Sequence, residues 1–223
     1  MQQLTLKILK NKKKYEIKME ILKTALTSAI EQESFEIVKL LLKNKNINVN
    51  IPMMTKKNVY YYKSYDPFHF NPFKEDGLKF FYDNIEEKSP LVIAIEKGNV
   101  DAVKQLIEHE ELDVNFINKT FNMRDDTVEW EKTTALNIAV DKENIEIVKL
   151  LLECKNLDVN FKNQRAQNKM RTALHTAVEK GNLDIIQLLL YHKNIDISIK
   201  DEKEKTPLEY SQNQQILHLF KNK

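Results

Sequence analysis

Apolar residues recur along this chain in a pattern that copies itself. In residues 172–198, Leu174, Ala177 and Val178 lie three and four positions apart, and Ile185, Leu188 and Leu189 do the same a little further on. That spacing predicts two short amphipathic helices. Thr172 and Asn182 stand where an N-cap can accept from the free amides of a first turn. Gly181 suits the left-handed residue that ends the first helix, and Asn194 is expected to do the same at the end of the second.

Residues 24–50, 89–115 and 134–160 align with this segment without gaps, and a shortened copy starts at Thr206. A lone helix pair leaves its apolar face wet, so the copies are expected to stack and bury a shared core. Their common marks are Thr-Pro/Ala-Leu-x-x-Ala opening the first helix, Asn-x-Asp/Glu-Ile-Val-x-Leu-Leu-Leu in the second, and Asp-Val-Asn at the end. With these marks, roughly residues 24–220 resemble the ankyrin repeat family. The resemblance implies an all-α solenoid of helix-turn-helix repeats with β-hairpin fingers, and a role in protein–protein interaction. Two departures stand out. The family's His after Leu survives only as His175, with Thr27, Val92 and Asn137 in its place elsewhere. The Gly ending the first helix is Glu33 in one repeat and Glu143 in another, which suggests looser stacking.

The repeat openings at 24, 89, 134, 172 and 206 are separated by 65, 45, 38 and 34 residues. Against a family period of about 33 residues, the extra length falls between Asn-x-Asn and the next Thr, where the resemblance puts a finger. Val114 and Phe116 are expected to lead out of one such finger, Asp125-Asp126 to turn it, and Val128 and Trp130 to lead back with period two. Residues 4–22 read as another finger, with its turn at 10–14, serving as an N-terminal cap within 1–23. The longest insertion, residues 51–88, carries ten of the chain's 19 aromatic residues, among them Tyr60, Tyr61, Tyr62 and Tyr65. Such richness argues against disorder. Leu78, Phe81, Tyr82 and Ile85 allow either a short helix over 77–87 or a return strand. The insertion is either a binding arm or a cover packed on the flank of the stack. All of it is read as a single domain, 1–223, closed by the truncated repeat 206–223.

Composition narrows the function. The formal charge is +2, so no broad field of one sign invites nucleic acid or membrane. One cysteine, Cys154, excludes an intrachain disulfide and a CxxC metal site. No secretory leader or membrane-length apolar run is visible in the sequence, and a soluble cytoplasmic monomer is expected. Glycine-rich phosphate loops and hydrolase signatures are missing from the sequence, so neither an enzyme nor a cofactor is expected. His175 reads as a structural residue bonding local backbone, not a catalytic one.

The partner surface implied by the resemblance is the concave face. Its residues here are Lys88, Glu96, Lys97, Asp141, Lys142, Arg171, Glu179 and Lys180, with Trp130 and Tyr60, Tyr61, Tyr62 and Tyr65 added from the fingers. Glu31, Glu96, Asp141 and Glu179 form an acidic row beside the basic row of Lys97, Lys142 and Lys180, suited to another protein acting as target of an adaptor, scaffold or inhibitor. No small-molecule substrate is expected. Two alternatives are nucleic-acid or anionic-surface binding through Lys10, Lys12, Lys13, Lys14, Lys162, Arg165, Lys169 and Arg171, and a regulatory fragment of a larger enzyme.

Overall fold

The computed structural model describes residues 14–17, 24–44, 46–63, 78–124, 127–165 and 169–223. The expected helix pairs form: α1 (Ala25–Glu31) with α2 (Phe35–Leu42), α3 (Pro90–Glu96) with α4 (Val100–Ile107), α5 (Ala135–Asp141) with α6 (Ile145–Leu152), and α7 (Ala173–Lys180) with α8 (Leu183–Tyr191). A 3-10 turn at Pro207–Tyr210 and α9 (Gln214–Lys221) close the C-terminal end. First helices stack on first helices and second on second.

Each element has a local cause. Asn99, Asn144 and Asn182 cap the second helices by accepting from the amides of Ala102, Ile147 and Ile185 at 2.9–3.1 Å. Thr24 and Thr172 cap α1 and α7 in the same way. The first helices all end alike. The ninth residue after each opening Thr or Ser takes positive φ, whether it is Gly98 (67°), Gly181 (74°), Glu33 (54°) or Glu143 (55°). In all four, the next amide donates five residues back, to Ala29, Ala94, Ala139 or Ala177. The two glutamates therefore keep the helix-ending geometry at the expense of backbone strain. The helix ends at Glu33 and Glu143 thus keep their closing bonds, each within its own repeat.

Asn194 does not take the left-handed conformation. Among the described residues, only Glu33, Glu143 and Glu204 do so without being glycine. The second helix of that repeat instead ends at an extended His192 (φ −66°, ψ 131°), whose ring Nδ1 accepts from the Asn194 amide at 3.3 Å.

The core follows the repeat. Leu26, Leu91, Leu136 and Leu174 are buried, as are Ala29, Ala94, Ala139 and Ala177 three residues on. Small residues at the second set let the first helices approach. Val38, Val103, Val148 and Ile186 fill the same position in each second helix and are also buried. Val114 belongs to this core and not to a strand. Asp113 turns the chain there, its side chain accepting from Asn115 and its carbonyl from Phe116, so the outgoing strand starts later than the alternation of Val114 and Phe116 suggested.

The fingers are β2 (Met53–Lys63) with β3 (Leu78–Lys88), β4 (Asn118–Arg124) with β5 (Thr127–Thr133), and β6 (Asn163–Arg165) with β7 (Lys169–Arg171), preceded by β1 (Lys14–Ile17). The expected basic turn at 10–14 thus gives up Lys14 to a strand, while residues 4–13 and 18–22 lie outside the described residues. Residues 78–88 are a return strand and not a helix, because Met53 to Lys63 offers it a partner along its length. Neighbouring fingers also pair, and the described strands form one antiparallel sheet in the order β1 to β7. Asn84 to Glu87 pair with Asn122 to Lys119, and the sheet thins towards its far end, where Lys132 opposite Gln164 is the one register pair between β5 and β6. The fingers act as a continuous wall beside the helices.

Candidate functional site

Where the wall meets the first helices, a groove of about 650 Å³ opens. Finger bases contribute Lys88, Asn118, Thr120, Glu131, Thr133, Asn163, Gln164 and Arg171. The helix side contributes Val92, Glu96, Ile138, Asp141, Lys142, Thr176, Glu179 and Lys180. Seven of the residues expected on the concave face therefore line one space. Lys97 sits next to it as the exposed C-cap of α3. Trp130 is in β5, opposite Phe121. Tyr60, Tyr61 and Tyr62 are in β2, with Tyr61 between Tyr15 and Phe80 in the register. The side chains of these four, and Tyr65 entirely, lie outside the described residues.

The groove's charges are held in place. Lys88 Nζ is 3.0 Å from both Glu86 and Glu96. Burial works against its charge, but the bonds to the two carboxylates outweigh this, and its pKa rises above the ordinary lysine value. Arg171, eight residues before Glu179 as Lys88 is before Glu96, donates to it at 2.5 Å. The Arg171 guanidinium also lies 3.5 Å from Asp201 and 4.3 Å from the Tyr210 ring centroid. Lys180 reaches back to Asp141 (3.7 Å) and Glu143 (3.4 Å) in the preceding repeat. In the third repeat the finger-base position falls to Thr133, with Asp141 eight residues on.

A second regularity escaped the sequence reading. The residue 29 positions after each opening Ser or Thr is Met53, Asn118, Asn163 or Asp201, and all four are buried. Asn118 accepts from the Ser89 amide (2.6 Å) and donates to the carbonyls of Phe116 and Thr133. Asp201 accepts from the amides of Lys203 and Lys205 and from the Tyr210 hydroxyl. Burial pushes the Asp201 pKa up, but these donors more than reverse it and it falls below the usual aspartate value. Asn163, 1% exposed, has no partner for either side-chain atom, and Thr133 Oγ1 beside the same groove has none. A buried polar group left so costs about 1–3 kcal/mol. The fixed offset of 29 was the available signal for these residues.

The position of the family's His is bonded differently from repeat to repeat. His175 accepts at Nδ1 from the Thr172 amide and meets the Thr172 hydroxyl at 2.8 Å, while Nε2 faces the Lys205 carbonyl at 3.1 Å. A carbonyl only accepts, so the proton is on Nε2 and the ring is neutral. Burial is the main cause of its lowered pKa. Thr27 exchanges bonds with Thr24. Asn137 donates to Thr134 Oγ1 and towards the Phe161 carbonyl. Val92 makes no such bond, and Asn118 takes over the Ser89 amide.

Chemistry of other kinds finds little footing. The half-buried Cys154 thiol points to the Leu150 carbonyl, and burial, then Glu153, raises its pKa. Among the described residues, no cluster of His, Cys, Asp and Glu could hold a metal ion, and no helix is long and apolar enough to cross a membrane.

A solenoid of helix pairs with a groove between finger wall and first helices is a repeat architecture. The family models agree. "Ankyrin repeats (3 copies)" matches at residues 69–163, 117–201 and 158–221, and "Ankyrin repeat" at 22–53. The chain belongs to the ankyrin repeat family, whose members generally mediate protein–protein interaction. Among solved structures it is similar to the crystal structure of an ankyrin repeat protein, with 22% identity and a TM-score of 0.58 over 89% of this chain and 78% of that one. At that identity the likeness shows the fold alone. No curated protein matches the chain.

Proposed function

We propose that this protein is a non-catalytic recognition module, an adaptor, scaffold or inhibitor, that holds a segment of another protein in the groove between its finger wall and first helices. The observation that carries this reading is the locking of the groove's charges. Lys88, Arg171 and Lys180 each touch two carboxylates. Ion pairs of this kind add little stability at a surface. They do fix side chains before a partner arrives, which reduces the ordering entropy that binding must overcome. The groove is lined by both cations and carboxylates, so it suits a polypeptide of mixed charge better than a polyanion such as nucleic acid.

A random peptide library selected on the full chain tests this. Binding peptides are expected to lose affinity for a Lys142→Glu, Lys180→Glu double variant, and to keep it for Lys149→Glu on the outer helix α6. Peptides that bind both variants as well as the parent would remove the groove from the mechanism.

A further inference from the structure

The stack is open at its first repeat, and we infer that a second copy of this chain closes it, the two molecules meeting α2 on α2 about a two-fold axis. Comparison among the repeats marks the face as a packing surface. Ile37 holds the position of Ala102, Ile147 and Ile185, which are buried, yet it is 51% exposed. Leu40 stands where Gln105, Leu150 and Leu188 are half-buried, and it is 64% exposed. Leu41 is half-buried where Leu106, Leu151 and Leu189 are wholly buried. On the first helix, Ala25 is exposed where Pro90, Ala135 and Ala173 are buried. Each position is covered where a helix pair precedes it and open where, among the described residues, none does. A dimer departs from the monomer expected of the sequence.

Shape and charge select the occupant. The far end of the stack does not match this face: among the described residues after Tyr191 no large apolar side chain is exposed, and Ile216 and Phe220 are buried. Head-to-tail stacking of copies would set the apolar residues against a polar end, whereas a two-fold contact sets them against each other. Glu36, Leu40 and Lys43 are exposed and spaced by four and three residues, so they share one edge of α2 with Leu40 at its middle. Antiparallel packing about a two-fold axis brings Leu40 to its own copy and puts Glu36 opposite Lys43 of the other molecule, twice. Lys43 is particular to this repeat. Its equivalents in the next two are Glu108 and Glu153, while the position of Glu36 is also acidic in Asp101, Glu146 and Asp184. A glutamate at 43 would set carboxylate against carboxylate in the same contact. Burial of Ile37, Leu40 and Leu41 drives the association, and the charges fix its orientation.

Sedimentation velocity on the full chain, from low to high micromolar concentration, tests this. The mass is expected to rise from 26.3 kDa towards twice that value. Leu40→Glu, a change at an exposed site whose effect on folding is checked by circular dichroism, weakens dimerisation more than about tenfold. Glu36→Lys alone and Lys43→Glu alone weaken it too, because each sets like charges together at two places. The double reversal Glu36→Lys, Lys43→Glu restores it, which loss of folding in either single variant could not mimic. The groove variant Lys142→Glu, Lys180→Glu dimerises like the parent, so this contact and the groove reading stand or fall separately. A mass of 26.3 kDa at every concentration overturns the dimer and leaves the face to residues before Thr24 or to another protein. Association that survives Leu40→Glu, or that the double reversal does not restore, overturns the antiparallel α2 contact.

Discussion

Asn115 is the place to perturb the stack. Its Oδ1 accepts from the Asp158 amide at 2.8 Å, and its Nδ2 donates to the Asn156 carbonyl at 2.6 Å, both in the next repeat. Asn50 does the same to Asp113 and Glu111, and Asn160 to Asp196 and Asn194. One amide thus clamps two backbone groups across each repeat junction, and Asn115→Ala removes the clamp at the central one. Each side-chain-to-backbone bond is worth about 0.5–1.5 kcal/mol. The freed backbone groups lie at the exposed edge, where water replaces the lost bonds, so the cost should be about 1–2.5 kcal/mol. In a chain of this size that is roughly 2–10 °C in Tm. The loss falls on one nearest-neighbour coupling, so unfolding in urea should also become less cooperative, with a lower m-value. Asn115→Asp should be worse than Ala, since it keeps the acceptor but turns an oxygen towards the Asn156 carbonyl. Urea unfolding followed by circular dichroism measures all three proteins. The clamp argument fails if Asn115→Ala costs under about 0.3 kcal/mol, a typical effect for a surface change away from any such feature, or if Asp is better tolerated than Ala.

Glu33→Gly should raise stability by about 0.5–1 kcal/mol, since a left-handed glutamate is strained and glycine is not; thermal unfolding checks it, and an unchanged or lower Tm would refute the strain. Asn163→Leu should stabilise by about 1–3 kcal/mol through removal of two unpartnered buried atoms, and destabilisation in the same assay would show that the carboxamide is satisfied in solution. For His175 the folded pKa is lowered, chiefly by burial, so the unfolded chain binds the proton first. Its contribution is present above the unfolded histidine value of about 6.5 and is lost as pH falls below that. Tm measured from pH 7.5 to 5 should fall more steeply for the parent than for His175→Asn, and equal slopes would refute the reasoning. Some slope should remain in the variant, because burial and then Lys193 lower the pKa of His192 too.

The helices were legible because each repeat states its period and caps in residues that act within one turn. Leu174 and Ala177, Thr172 and Asn182 need no distant neighbour to declare their role. Glu143 shows where that logic stops. The residue type argued for a weaker helix end, yet five-back bonding from Asn144 to Ala139 holds the same turn, because the surrounding stack dictates the backbone there. The continuous sheet was harder still. Each finger's alternation predicts its own hairpin, but the pairing of Glu87 with Lys119 joins residues 32 apart in different fingers, and their 3.1 Å ion pair is visible only once the stack sets the fingers side by side.

The same contrast explains why the groove was half legible. Charged residues such as Lys88 and Glu96 declare themselves by type and by position in the repeat. Asn163 does not, because asparagine is common in turns and this chain is rich in it. What distinguishes Asn163 is a comparison among repeats: the offset of 29 puts Asn118 and Asp201 in equivalent places, and each finds its bonds within the protein. A repeat protein carries its own controls in this way. Where three copies of a position share burial and polarity and one copy alone lacks partners, the shared architecture accounts for the burial but not for the missing bonds. The odd copy is then the position at which this chain departs from the bonding of its scaffold, and Thr133, at the finger base where the flanking repeats carry Lys88 and Arg171, leaves its Oγ1 without a partner as well.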